Sequence, residues 1–116
     1  MSEHAEQCAL FDWAKYHESR WPCLKWLHAI PNGGHRYKRV AQKLRAEGVR
    51  AGVSDVFLPV AKRGYHGIYL EMKHGRNKPT ASQIEFIEFV KDQGYYVDVF
   101  WSWQDAAEAL EWYLKD

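Results

Sequence analysis

The segment Gly67-Ile68-Tyr69-Leu70-Glu71-Met72-Lys73-His74-Gly75 opens as an apolar strand and closes with an acid and a base two residues apart. Side chains in a strand alternate faces, so Ile68, Leu70 and Met72 share one side while Tyr69, Glu71 and Lys73 share the other. A carboxylate and an ammonium group side by side at the inner end of a strand need a compensating partner, because burying charge is costly unless it is paired or bound to a metal. An edge-strand ion pair of small energetic consequence satisfies the same pattern. The upstream run Gly52-Val53-Ser54-Asp55-Val56-Phe57-Leu58-Pro59 adds an acid near the start of a second β-branched and aromatic strand. The turn signal Lys62-Arg63-Gly64-Tyr65 between the runs predicts an antiparallel hairpin that brings Asp55 beside Glu71. Two carboxylates and a lysine then converge.

Working outward, the flanking segments supply helices and one more strand. Glu3 to Ser19 carries apolar residues at helical spacing, with Leu10, Trp13 and Ala14 on one stripe and Pro22 as the stop. Glu6 lies in line with that stripe, either as a first-turn acid favourable to the helix dipole or as a contributor to a site. Leu24 to Pro31 reads as a strand closed by a turn at Asn32-Gly33-Gly34, and Tyr37 to Glu47 as a short, highly charged helix ended by Gly48. Downstream, Thr80-Ala81-Ser82-Gln83 has the capping-box pattern. The helix it starts runs to Gln93, with Ile84, Ile87 and Val90 inward and Phe86 and Phe89 enlarging the apolar face. Tyr95 to Trp101 is a third strong strand; separated from its predecessor by a helix, it is predicted to lie parallel to it. A last helix begins at Ser102 and turns Ala106, Ala109, Leu110 and Tyr113 inward.

The whole chain, 116 residues, makes one α/β domain over 1–116, with 47% apolar and 27% charged residues. No apolar run approaches the roughly 20 residues of a membrane span, and the N-terminus has no apolar leader, so the expected location is intracellular and cytoplasmic. Cys8 and Cys23 form no zinc-type cluster and are expected as two buried free thiols; none of the six histidines is assigned as a ligand. Net charge is only +1, but Arg36, Lys38, Arg39, Lys43, Arg45 and Arg50 face the single acid Glu47 across one segment. Together with Arg76 and Lys78 in the link after the central strand, they make a basic surface suited to a polyanion, against the simpler reading of a solvated helix. Trp21, Trp101, Trp103, Trp112 and Tyr113 are too many to bury easily in one small domain, which points to an apolar surface near the C-terminus such as a dimer interface.

With those residues placed, the chain resembles the stand-alone VRR-NUC nucleases of the PD-(D/E)XK superfamily. The likeness runs from the helix carrying Glu6, through Pro31-Asn32-Gly33-Gly34 and Gly48 to Asp55, to Glu71-Met72-Lys73, Gln83 and Gly94-Tyr95. It implies a restriction-endonuclease-like core, a central mixed β-sheet flanked by helices, and a metal-dependent phosphodiesterase. In that pattern Asp55 and Glu71 are metal ligands, the Met72 backbone carbonyl is another, and Lys73 lies beside the attacking water. Glu6 matches the first-helix acid that contributes to catalysis and metal binding, and Gln83 the glutamine after the catalytic strand. Ser54 departs from the pattern, standing where the superfamily name expects proline. Two carboxylates and a carbonyl suit Mg2+, with Mn2+ as substitute, because such ions take hard oxygen ligands and keep several waters. The resemblance further implies a homodimer that cleaves branched or four-way DNA. A nuclease-like module that binds DNA without cutting it, and a restriction-type enzyme acting on linear duplex, are the alternatives.

Overall fold

The structure, a computed structural model, describes residues 1–31 and 38–116. The expected turn at Asn32-Gly33-Gly34, and Arg36 and Tyr37, lie outside the described residues. In chain order the elements are α1 (Glu3–Tyr16), a 3-10 turn (Pro22–Trp26), β1 (His28–Ala29), α2 (Lys38–Ala46), β2 (Val56–Leu58), β3 (Ile68–Met72), α3 (Ala81–Asp92), β4 (Tyr96–Phe100) and α4 (Trp103–Leu114). The four strands form one mixed sheet in the order β1-β2-β3-β4.

The hairpin and the crossover both follow the sequence. β2 and β3 pair antiparallel with Val56 opposite Leu70, and β3 and β4 pair parallel with Glu71 opposite Val99. Between β2 and β3 the chain reverses at Lys62–Tyr65, where Arg63 and Gly64 both have positive φ, the backbone twist that a two-residue hairpin turn requires.

Alternation along the strands divides the sheet into two chemically different faces. Val56, Leu58, Ile68, Leu70 and Met72 are buried with Leu10, Ala14, Ala106, Leu110 and Tyr113 in the main core. Each such aliphatic side chain contributes roughly 1.5–3 kcal/mol of burial, so this face, covered by α1 and α4, carries most of the stability. Tyr113 adds a hydrogen bond from its hydroxyl to the Val60 carbonyl at 2.6 Å. Across the sheet a smaller cluster of Ile87, Val90 and Val97 seats α3 on β4.

Several local expectations are overturned by packing. Leu24–Pro31 is mostly not a strand: Pro22 starts a 3-10 turn, and only His28–Ala29 pair with β2. Proline at the first position of a helical turn loses no hydrogen bond, which accounts for the change. Ile84 does not face inward; it and Phe89 are 47% and 63% exposed, because α3 rests on the sheet through Ile87, Val90 and Phe86. Cys8 is exposed and Cys23 half-buried; both thiols are free, but neither is a core residue. Tyr113 is wholly buried, leaving Trp101 and Trp112 as the exposed aromatics of the C-terminal surface. No helix among the described residues is long and apolar enough to cross a membrane.

Gly52 is the tightest backbone contact near the sheet. Its φ is +93°, and a Cβ there would stand 2.5 Å from the Ser82 carbonyl oxygen, so the segment leading into β2 presses directly on the start of α3. Gly52→Ala is expected to lower stability by about 1–3 kcal/mol through strain and displacement, read from the midpoint of urea unfolding.

Candidate active site

The polar cluster forms where β2, β3 and α3 meet. Asp55, one residue before β2, is held from both sides: its carbonyl accepts from Ile30 N–H at 2.7 Å, and its carboxylate accepts from Met72 N–H at 2.9 Å. β3 carries Glu71 on the opposite face from the aliphatic core, and Glu71 has no solvent exposure. Lys73 follows two residues later, 7% exposed, with its backbone N–H donating to the Phe100 carbonyl at 2.8 Å. The ladder to β4 therefore continues past the end of β3 and fixes the direction of Lys73. Asp55, Glu71 and Lys73 are brought together as expected.

Gln83 serves two structures at once. Its Oε1 accepts from the Thr80 N–H at 2.8 Å while the Thr80 hydroxyl accepts from the Gln83 N–H, which completes the capping box. The same amide donates through Nε2 to Glu71 Oε2 at 3.3 Å. Helix start and buried carboxylate thus share one side chain, and the cap fixes which end of the amide faces Glu71.

Burial dominates the electrostatics of Glu71. It pushes the carboxyl pKa up to about 9, with hydrogen bonding to Asp55 and the Asp55 charge adding to the rise, Lys73 opposing it and Glu3 adding slightly. Glu71 Oε1 has no hydrogen-bond partner among the described residues, and neither does the buried Ser54 hydroxyl on the other face. Lys73 is the positive group of this cluster, and its charge offsets only part of the cost of burying Glu71 beside a second carboxylate.

Two acids of α1, Glu6 and Glu3, have partners from distant parts of the chain. Glu6 is 7% exposed, and its Oε1 accepts from the Trp103 N–H at 2.8 Å, at the first turn of α4. That is a charge at a helix N-terminus, favourable by the helix dipole, and it ties α1 to α4. Glu3, one turn earlier, is the α1 carboxylate whose charge raises Glu71, and its Oε2 lies 3.5 Å from the side-chain amide of Asn77, in the link just after Lys73. The signal for Glu3 was available in its three-residue spacing from Glu6, which sets both acids on one side of α1. Which of the two turns toward the sheet end depends on the packing of α4.

Asp55, just before β2, and Glu71 and Met72 on β3 offer two carboxylates and a carbonyl at neighbouring positions. No group of three or more His, Cys, Asp or Glu side chains that could hold a metal is gathered among the described residues. The unpartnered Glu71 oxygen and the raised Glu71 pKa mark this carboxyl as the least satisfied buried acid among the described residues.

A sheet of this order with an acid before β2 and Glu-x-Lys at the end of β3 matches a known family: the VRR-NUC domain model covers residues 1–102. The chain belongs to the VRR-NUC domain family. A solved structure described as a VRR_NUC domain protein superposes with a TM-score of 0.82 at 26% identity, over 98% of this chain and 88% of that one. No curated protein matches. VRR-NUC is a nuclease-type domain family, and the mixed four-stranded sheet with flanking helices is the fold of that relative.

The remaining sequence-predicted residues of this VRR-NUC domain lie at the surface. Lys38, Arg39, Lys43 and Arg45 on α2 are exposed, as are Arg50, Arg76 and Lys78. α2 has no buried residue, and Val40 on its apolar side is 41% exposed.

Glu71 links pH to stability in a definite direction. Its folded pKa lies above the ordinary value of 4.5, so between 4.5 and about 9 the folded state holds a proton that the unfolded state has lost. The stability associated with that proton is complete below 4.5 and is lost as pH rises toward about 9. Glu71→Gln removes the penalty. In metal-free protein at pH 8 it should raise the melting temperature by roughly 4 °C or more, with the difference shrinking toward pH 4.5. An unchanged difference across that range, followed by calorimetry, would count against a protonated Glu71.

Proposed function

We propose that this VRR-NUC domain is a Mg2+- or Mn2+-dependent DNA endonuclease that hydrolyses phosphodiester bonds, acting on branched DNA such as four-way junctions as a homodimer. The observation that carries the catalytic reading is the buried Glu71 carboxylate, with one oxygen held by Gln83 and the other unpartnered, beside Asp55.

Asp55, Glu71 and the Met72 carbonyl hold the ion in this reading. A bound divalent cation lowers the pKa of water and offsets charge that builds on the phosphate during attack. The Met72 N–H sets the Asp55 carboxylate in place before any ligand arrives, and Gln83 does the same for Glu71. Lys73 brings its ammonium group to the same end of the strand, where it neutralises phosphate charge and orients the incoming nucleophile. Glu6 is the first-helix acid of this reading, held through one oxygen by the Trp103 N–H, and Glu3 adds its charge one turn earlier. Because Glu71 must lose its proton to bind a cation, apparent metal affinity rises with pH toward about 9.

The exposed cations of α2 and the link after β3 supply phosphate contacts, which position a duplex without reading its sequence. Among the exposed aromatics, Trp101 and Trp112 form the surface we assign to the dimer contact, where Arg63 stacks on Trp112 with 4.5 Å from guanidinium carbon to ring centre. Two sites related by a two-fold axis suit two opposed strands of a junction. Velocity sedimentation at micromolar concentration tests the dimer; monomer alone would remove it.

Incubation with Mg2+ or Mn2+ and a panel of junction, flap, nicked and linear DNA tests the activity. Cleavage is expected from wild type and a loss of at least about 100-fold from Asp55→Ala, Glu71→Gln and Lys73→Ala, with DNA binding retained. No cleavage of any substrate, together with intact DNA binding, would leave a binding module. Neutralising Lys38, Arg39 and Lys43 together should weaken binding on every substrate and reduce the slope of log affinity against log salt by about 2–3. A slope equal to wild type would remove those three as phosphate contacts.

A further inference from the structure

A groove of about 440 Å3 runs between the segment before β2 and the exposed side of α3. Val53 and Arg50 line one wall, Ser82, Phe86 and Phe89 the other, with Glu85 also on the lining. Its size falls in the range of small-ligand sites. The two walls are held in register by the close approach of Gly52 to Ser82. Phe86 is fixed edge-on against Tyr69, with ring centres 5.2 Å apart at 88°, whereas Phe89, one turn later, is 63% exposed. Nothing in the hydrolytic site uses these residues.

Both walls lead to the carboxylates. Val53 stands two residues before Asp55, and Ser82 adjoins Gln83, whose amide reaches Glu71. The groove is therefore walled by the chain neighbours of Asp55 and Gln83. We propose that the groove receives one unpaired nucleotide of the DNA substrate, its base against Phe86 and Phe89 and its phosphate toward Arg50. This rests on the nuclease reading and sharpens its substrate class.

Charge placement decides the orientation. Arg50 attracts a phosphate, while Glu85 repels one and can accept a hydrogen bond from an exocyclic amine of the base. An aromatic face flanked by a single cation is the combination that binds single-stranded nucleic acid with tolerance for sequence. A base inside a continuous duplex is stacked on both faces and cannot enter, whereas a base at a flap or junction is free to unstack at low cost. The groove thus favours substrates with an unpaired nucleotide over continuous duplex.

The test measures affinity in EDTA, where no cleavage occurs, by fluorescence anisotropy on a labelled flap DNA and on a fully paired duplex of equal length. Wild type is expected to bind the flap more tightly. Phe89→Ala should weaken flap binding by roughly 5- to 150-fold and leave duplex binding unchanged, and Phe89→Trp should restore it. Phe89 is exposed enough for these changes to leave the fold intact, which circular dichroism checks. Equal losses on both DNAs, or none on either, would overturn the proposal. So would sedimentation showing that Phe89→Ala dissociates a wild-type dimer, which would mean that a second copy covers this face. Cleavage measured separately with Mg2+ keeps the two readings apart: active enzyme with no Phe89 effect refutes the groove alone, and an inactive protein that shows the effect refutes the nuclease alone.

Discussion

The burial of Glu71 is the constraint around which the polar half of this molecule is arranged. A carboxyl with no solvent exposure beside Asp55 disfavours its charged form even with Lys73 nearby, and its pKa is pushed up to about 9. The structure nevertheless holds the group there firmly, with Gln83 on one oxygen and β3 paired on both sides through β2 and β4. A fold selected for stability alone would fill this position with an apolar side chain, since an unpaired buried charge is among the costliest features a core can carry. Glu71 stands beside Asp55 and Lys73, the two groups whose charges act on it most directly.

The two faces of the sheet divide the labour. One is aliphatic and sealed by α1 and α4; the other carries Tyr69, Glu71 and Lys73 under the edge of α3. Burying Glu71 on the face opposite the main core keeps the cost of a buried acid apart from the contacts that hold the domain together. Asp55 shows the same economy. Hydrogen bonds from Ile30 and Met72 fix its backbone and its side chain, so a residue outside any strand is positioned as firmly as one within.

Secondary contacts then decide which polar groups remain available. Glu6 and Glu3 are both acids on one side of α1, yet Glu6 is engaged by the Trp103 N–H while Glu3 lies by Asn77 and acts on Glu71. Phe86 and Phe89 both belong to α3, but only Phe86 is packed against the sheet. In each pair the helix offers equivalent positions and the neighbouring element selects between them.

Much of this arrangement was legible in the sequence because it depends on local periodicity. The period of two in Ile68–Met72 put Glu71 and Lys73 on one face, the Thr80/Gln83 spacing located the start of α3, and a helix between two strands implied their parallel pairing. These signals involve residues a few positions apart, so backbone geometry alone enforces them. Tertiary structure alone decided that Glu6 would serve α4, that Gln83 would reach Glu71, that Pro22 would start a turn instead of merely ending a helix, and that Ile84, Phe89 and Cys8 would stay exposed. Those outcomes depend on which surface of one element meets another far along the chain, and a helix periodicity names a stripe without naming its partner.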